Sequence, residues 1–192
     1  MEKSVFTFKV KDMVEIAMFC ALAIVLDRFL KIPLGPTGGS LNLSMVPIMF
    51  INLRHGWFKG FVAGGLIFGF ITCLLDGYGL VTYPLEYLVA FGSSALLGVF
   101  AKYINNNYNS KKGITTCYLI VIATIAIWAT IRFFACCIDS VLIYDYTFEA
   151  AAAYNVTYVY FSAIAVAVII LAMLHLFVKL NKSYPTNYLK NN

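Results

Sequence analysis

Glu86 and Arg132 are the two residues of this sequence best placed to do chemistry, because each is an ionisable side chain set inside a long apolar stretch, in YPLEYLVAF and ATIRFFACC. A charge among apolar residues of membrane length is costly, and it ordinarily faces a cavity or a partner. Each lies about six residues in from the same end of its stretch, or about 9 Å deep at the helical rise per residue, so the two stand at one depth. Two readings follow. The pair is a buried ion bridge holding two helices together, or the carboxylate opens on a pocket and recognises a ligand while Arg132 positions it. The second is favoured by the surroundings: Tyr83 and Tyr87 flank Glu86, and Tyr144, Tyr146, Tyr154, Asn155 and Tyr158 gather near the start of the last apolar stretch. Aromatic rings beside a carboxylate suit a flat, cationic, hydrogen-bonding ligand through stacking and cation–π attraction. An interfacial belt explains some of these tyrosines but not Glu86.

Other chemistry is missing. There is no H-E-x-x-H, G-x-S-x-G or P-loop, and His55 and His175 fall near the ends of apolar stretches. An enzyme is not indicated, and ATP hydrolysis would have to come from a partner. Five cysteines, Cys20, Cys73, Cys117, Cys136 and Cys137, lie mostly in apolar runs without metal-site spacing; neither a metal nor a cofactor is expected. Basic residues are scattered over loops and form no aromatic-interleaved patch, which argues against nucleic acid. The segment PLGPTGGS (33–40) is rich in Gly and Pro. It reads as a plain surface loop or, beside a pocket, as a lid.

The elements that must position Glu86 and Arg132 are membrane spans. Hydrophobic residues make up 61% of the 192 and charged residues only 12%, about half the charged share of a soluble domain. Apolar stretches run over about 12–30, 41–53, 57–75, 80–101, 114–138 and 156–180, each read as a span of a single all-α, six-helix integral membrane domain. The second is short, and Pro47 is expected to kink it. The first lacks a small-residue cleavage site and reads as a span, not a signal peptide. Lys3, Lys9, Lys11, Arg54, Lys59, Lys102, Lys111, Lys112, Lys179, Lys182 and Lys190 fall on one side of this arrangement. Arg28 and Lys31 fall on the other, with Asp27, Asp76, Asp139, Asp145 and Glu149. The positive-inside rule then puts both termini in the cytoplasm.

Small residues suggest how the helices meet. Gly60, Gly64, Gly65 and Gly69 let a neighbouring backbone come close, most simply within the bundle, and Ala17 and Ala21 form a small-x-x-x-small pair on one face of the first span.

The runs GGSLNLSMVPIMFINLRHGWFKGFVAGGLIFG (38–69), YPLEYLVAF (83–91) and YNVTY (154–158) resemble the thiamine-specific substrate-binding subunit of energy-coupling factor (ECF) transporters. The resemblance covers most of the chain in order. It implies a subunit of a bacterial cell membrane that captures thiamine from outside, while a transmembrane coupling subunit and two ATP-binding cassette ATPases drive its release inward. It further implies ligand contacts at Glu86, Tyr87 and Asn155, a basic residue at Arg132, and a docking surface for the coupling subunit at Ala17 and Ala21. Departures fall in the implied pocket. Where the family commonly has a histidine this chain has Cys136, the stacking position often held by Trp is Tyr144 or Tyr146, and a tyrosine position is Ala150. These substitutions leave room for a related heterocycle, such as a pyrimidine precursor. The rival reading is a self-sufficient secondary transporter of a small cationic metabolite using Glu86 and Arg132 as its coupling pair.

Overall fold

The computed structural model describes residues 6–30, 32–33 and 40–190. Helix α1 runs Val10–Phe29 and α2 Met45–His55. Then come α3 (Trp57–Asp76), α4 (Tyr83–Asn107), α5 (Lys111–Tyr144) and α6 (Phe148–Ser183), the four among the described residues that are long and apolar enough to cross a membrane. A last short helix, α7, spans Asn187–Lys190. Between α1 and α2, strands β1 (Ile32–Pro33) and β2 (Ser40–Leu41) pair antiparallel, with Ile32 opposite Leu41 and Pro33 opposite Ser40. The lid segment foreseen for 33–40 lies largely between them, and residues 34–39 are outside the described residues. Large apolar side chains such as Met18, Leu22, Val25, Ile122, Phe134, Phe161, Ile164 and Val168 are exposed around the bundle. Such a continuous apolar exterior fits hydrocarbon and not water.

α2 is the axis of the fold: every residue from Met45 to His55 except Val46 is buried. This explains why residues 45–51 are apolar without a break, since a helix enclosed on all sides has no solvent face to mark. At 11 residues it is about 16 Å long, shorter than a hydrocarbon core. Pro47 does not kink it. The proline is the third residue of the helix, where the backbone N–H it lacks would have had no intrahelical partner.

α3 and α4 carry the close packing predicted from the glycines. A Cβ at Gly64, Gly65 or Gly69 would stand 3.1–3.2 Å from the carbonyl oxygens of Phe91, Leu88 and Tyr87, so these positions bring the two backbones into direct contact. Gly60 does the same for α2, its missing Cβ being replaced by the Asn52 amide. Where they touch, both helices widen into π-helical turns, Val62–Phe68 in α3 and Tyr83–Val89 in α4. The second of these holds Glu86 and Tyr87, and such widened turns are frequent at functional positions. Trp128 of α5 donates its indole N–H to the Ala90 carbonyl at 2.8 Å, just past this turn.

At the end of the bundle away from Glu86, the structure buries charges that the sequence suggested were in loops. Lys59 donates to Asp12 at 2.7 Å, with side chains 0% and 2% exposed. Arg54 grips Glu15 through two nitrogens at 2.7 and 3.0 Å, and His55 adds a third contact to Glu15 at 2.9 Å. Asp12 and Glu15 are one helical turn apart on α1, so a single face of that helix meets all three partners. Arg54 also reaches Asn181 of α6 at 3.0 Å, and Thr186 donates to the Arg54 carbonyl at 2.7 Å. Removing one member of a dry pair leaves an uncompensated charge. Lys59→Ala is therefore expected to cost about 3 kcal/mol, read as a fall in the unfolding temperature of purified protein. The double change Asp12→Ala, Lys59→Ala should recover part of that loss; additive losses would show that the two charges are not coupled.

Candidate ligand-binding site

Two connected polar cavities open at the opposite end, between α1, α3, α4, α5 and α6. The inner lobe, about 180 Å³, is walled by Asp27, Asp76, Glu86, Tyr87, Phe91, Arg132, Cys136 and Tyr158, with Ser40 and Asn42 from the β2 segment. The outer lobe, about 220 Å³, adds Ser140, Tyr144, Tyr146 and Asn155. Tyr78, Glu86, Tyr154 and Tyr158 border both. All six residues expected to contact a ligand, Glu86, Tyr87, Arg132, Cys136, Tyr144 and Asn155, thus meet around one space. Ala150 does not: it is exposed in the first turn of α6, where its N–H bonds to the capping Thr147 hydroxyl at 3.3 Å.

Glu86 and Arg132 share the inner lobe but form no salt bridge among the described residues. The Arg132 guanidinium lies over Phe91 at 5.1 Å and Trp128 at 5.7 Å, and its buried Nε has no hydrogen-bond partner. The ion-bridge reading therefore gives way to two separate charges facing the same cavity.

The remaining carboxylates are held by their own partners. Arg28 spans Asp76 at 2.7 Å and Asp27 at 3.3 Å, the Tyr87 hydroxyl donates to Asp76 at 2.9 Å, and Asn42 bonds to Asp27. Asp76 in this way fixes the Tyr87 ring as a wall of the pocket. Three carboxylates against the two guanidiniums of Arg28 and Arg132 leave a net negative lining, and in a site sheltered from water such an excess selects cations.

Two residues named from the sequence have other work. The Tyr83 hydroxyl donates to the Gly65 carbonyl at 3.1 Å and its ring packs on Phe70, so it braces α3 and leaves the pocket to Tyr87. Asn155, 1% exposed, donates to the Ala151 carbonyl at 2.9 Å and the Ser140 hydroxyl at 3.3 Å and accepts from the Tyr158 hydroxyl. Its amide orients Tyr158, whose ring stands edge-on to Tyr154 at 5.5 Å.

Sequence reasoning left out Asp27, Asp76 and Tyr78, which line the lobes, and Asp139, buried on the face of α5 that does. A signal was present for one of them. Arg132, Cys136, Asp139 and Ser140 recur at i, i+4, i+7 and i+8, one face of α5.

Ser162 of α6 donates to the Ser40 carbonyl and accepts from the Asn42 N–H, both at 3.2 Å. The ribbon is thereby pinned beside the inner lobe. Ala17 and Ala21, which line neither lobe, are exposed and border an apolar groove of about 480 Å³ between α1 and α3, with Met13, Ile16, Cys20, Ile24, Ile67 and Ile71.

Residues 13–185 match the family model described as thiamine transporter protein (Thia_YuaJ). The chain belongs to the thiamine transporter protein family. Within that family it is 34% identical over 110 residues to the thiamine transporter ThiT of Bacillus subtilis (strain 168), an overlap of 52% of this chain and 53% of that protein. The chain thus spans about half the length of the curated relative it matches. A solved structure of ThiT from Listeria monocytogenes superposes over 93% of this chain and 97% of its own, with a TM-score of 0.68 and 24% identity; this likeness is one of fold. Family membership and the four apolar helices make the chain a multi-pass membrane protein whose named relatives are transporters and not enzymes.

Proposed function

We propose that this protein is the substrate-capturing membrane subunit of an ATP-driven importer of the energy-coupling factor type, and that it takes thiamine or a closely related cationic heterocycle from outside a bacterial cell. The observation that carries this reading is the negatively lined, tyrosine-walled cavity around Glu86. Thiamine presents a flat ring with hydrogen-bonding groups and a second ring bearing a permanent positive charge. Glu86 faces that charge, Tyr87, Tyr154 and Tyr158 offer ring faces, and Cys136 leaves room for the ring that a histidine would otherwise touch. Tyr144 and Tyr146, whose rings are 6.4 Å apart, close the outer lobe, so either can supply the stacking surface.

In this reading α1 to α6 are six spans. The short α2 crosses because neighbours enclose it, and the charges of α1 sit at its two ends, paired with α2 and α3 at one end and with Asp76 at the other. Both termini face the cytoplasm, in keeping with eleven basic residues on that side against two. The partners are a transmembrane coupling subunit, seated on the Ala17 and Ala21 groove, and two ATP-binding cassette ATPases.

Thiamine binding to purified protein in detergent, with no ion gradient, tests the proposal through quenching of Trp and Tyr fluorescence. Submicromolar binding is expected. Folded protein that fails to bind would move the ligand to another heterocycle, and thiamine uptake by vesicles holding this protein alone, driven by a gradient, would favour the secondary-carrier reading.

A further inference from the structure

Asp139 is 1% exposed, yet both of its carboxylate oxygens are buried without a hydrogen-bond partner. Arg132, Cys136 and Ser140, on the same face of α5, line the lobes that Glu86 borders, which sets Asp139 toward the Glu86 carboxyl of α4. Two ionised carboxylates have no donor to offer each other, and like charges in contact in a sheltered site do not both ionise freely. One proton between them removes both defects: it supplies the missing hydrogen bond and cancels one charge.

No described side chain donates a hydrogen bond to either Asp139 oxygen. From α3 come Asp76, already held by Arg28 and Tyr87, and the thiol of Cys73. α5 contributes Cys136, Tyr144 and the one cation, Arg132, which forms no salt bridge with either acid among the described residues. From α6 come Tyr154 and Tyr158, the latter committed to Asn155. α1 brings Asp27 to the same lobe, where it is bonded by Asn42 and flanked by Arg28.

We infer that Glu86 and Asp139 act as a carboxyl pair that holds one proton in the empty pocket and gives it up when a cationic ligand arrives, so that capture exchanges a cation for a proton. The inference rests on the reading of this pocket as a cation site. Charge balances: the empty pair carries one negative charge, and after the proton leaves through the open outer lobe the doubly ionised pair with its cation again carries one. The sheltered site gains no net charge on binding, which avoids the cost of desolvating one. A proton and a ligand competing for one site give weaker binding at low pH. Affinity rises by up to about tenfold per pH unit over the range in which the empty pair keeps its proton, then levels off. With Asp139→Asn the amide can donate to an ionised Glu86, no proton is held, and the dependence flattens.

Infrared spectroscopy of the purified full-length protein at neutral pH tests the pair without any ligand. The empty wild type should show the carbonyl stretch of a protonated buried carboxyl, and Asp139→Asn should lack it. Calorimetry of thiamine binding to the wild type in two buffers of different ionisation heat then counts protons, with close to one released per ligand expected. Absence of the carboxyl band, or binding heats identical in the two buffers, would overturn the inference even where thiamine binds tightly. An Asp139-dependent band in a protein that ignores thiamine would establish the pair and refute thiamine as the ligand. The wild-type calorimetry needs no variant, so a poorly folded Asp139→Asn leaves the test intact.

Discussion

Glu86→Gln is expected to weaken thiamine binding by at least about 30-fold while leaving the protein folded. The amide keeps the size and shape of the side chain and removes only its charge. Among the described residues Glu86 enters none of the salt bridges that tie the helices together; those are made by Asp12, Glu15, Lys59, Arg54, His55 and Arg28 with Asp27 and Asp76. Its unfolding temperature should therefore stay near that of the wild type. The ligand, in contrast, loses the carboxylate opposite its permanent charge in a pocket sheltered from water, where removing one partner of such a pair costs about 2–5 kcal/mol, and every 1.4 kcal/mol is about tenfold in affinity. Asp27 and Asp76 do not replace it, because Arg28 already neutralises much of their charge. Fluorescence titration of both proteins reads the effect, and unchanged affinity in the variant would place the ligand's charge elsewhere.

Replacing Ala17 and Ala21 together by Trp should abolish thiamine uptake in cells and leave binding to the purified subunit within about twofold of wild type. Both residues are exposed on α1 and border the apolar groove, and neither lines the cavity lobes. Substitutions without shared contacts act independently to a good approximation, so the pocket should not register them. The groove should, because two indoles would fill the space in which another helix can approach small residues closely. Uptake at the wild-type rate in the double variant would mean that the coupling subunit docks on another surface.

The depth at which Glu86 and Arg132 sit was legible from counting residues along their stretches, because helical rise is a local property of the backbone. What they do with that depth was not. Whether they bridge depends on side-chain direction, and the widened turn at Tyr83–Val89 sets this for α4. Tyr83 bonds to Gly65 of α3, while Tyr87, four residues on, bonds to Asp76 and walls the pocket. Asn155 was recognised as belonging to the site; that its amide is spent on orienting Tyr158 became visible only with Ser140 and Ala151 in place.

The sequence by itself determined that this is an apolar, helical membrane protein, that α3 and its neighbours pack through glycines, and that one carboxylate is out of place among apolar residues. Composition, period and spacing are local quantities, and the chain states them without folding. The tertiary structure alone decided which charges find one another. Asp12 and Glu15 lie some forty residues before Lys59, Arg54 and His55. Arg132 shares a cavity with Glu86 from another helix, and Asp76 is joined to Arg28 across most of α1 to α3. The pairing of buried charges is set by which helix faces meet, and that is fixed by packing of the whole bundle.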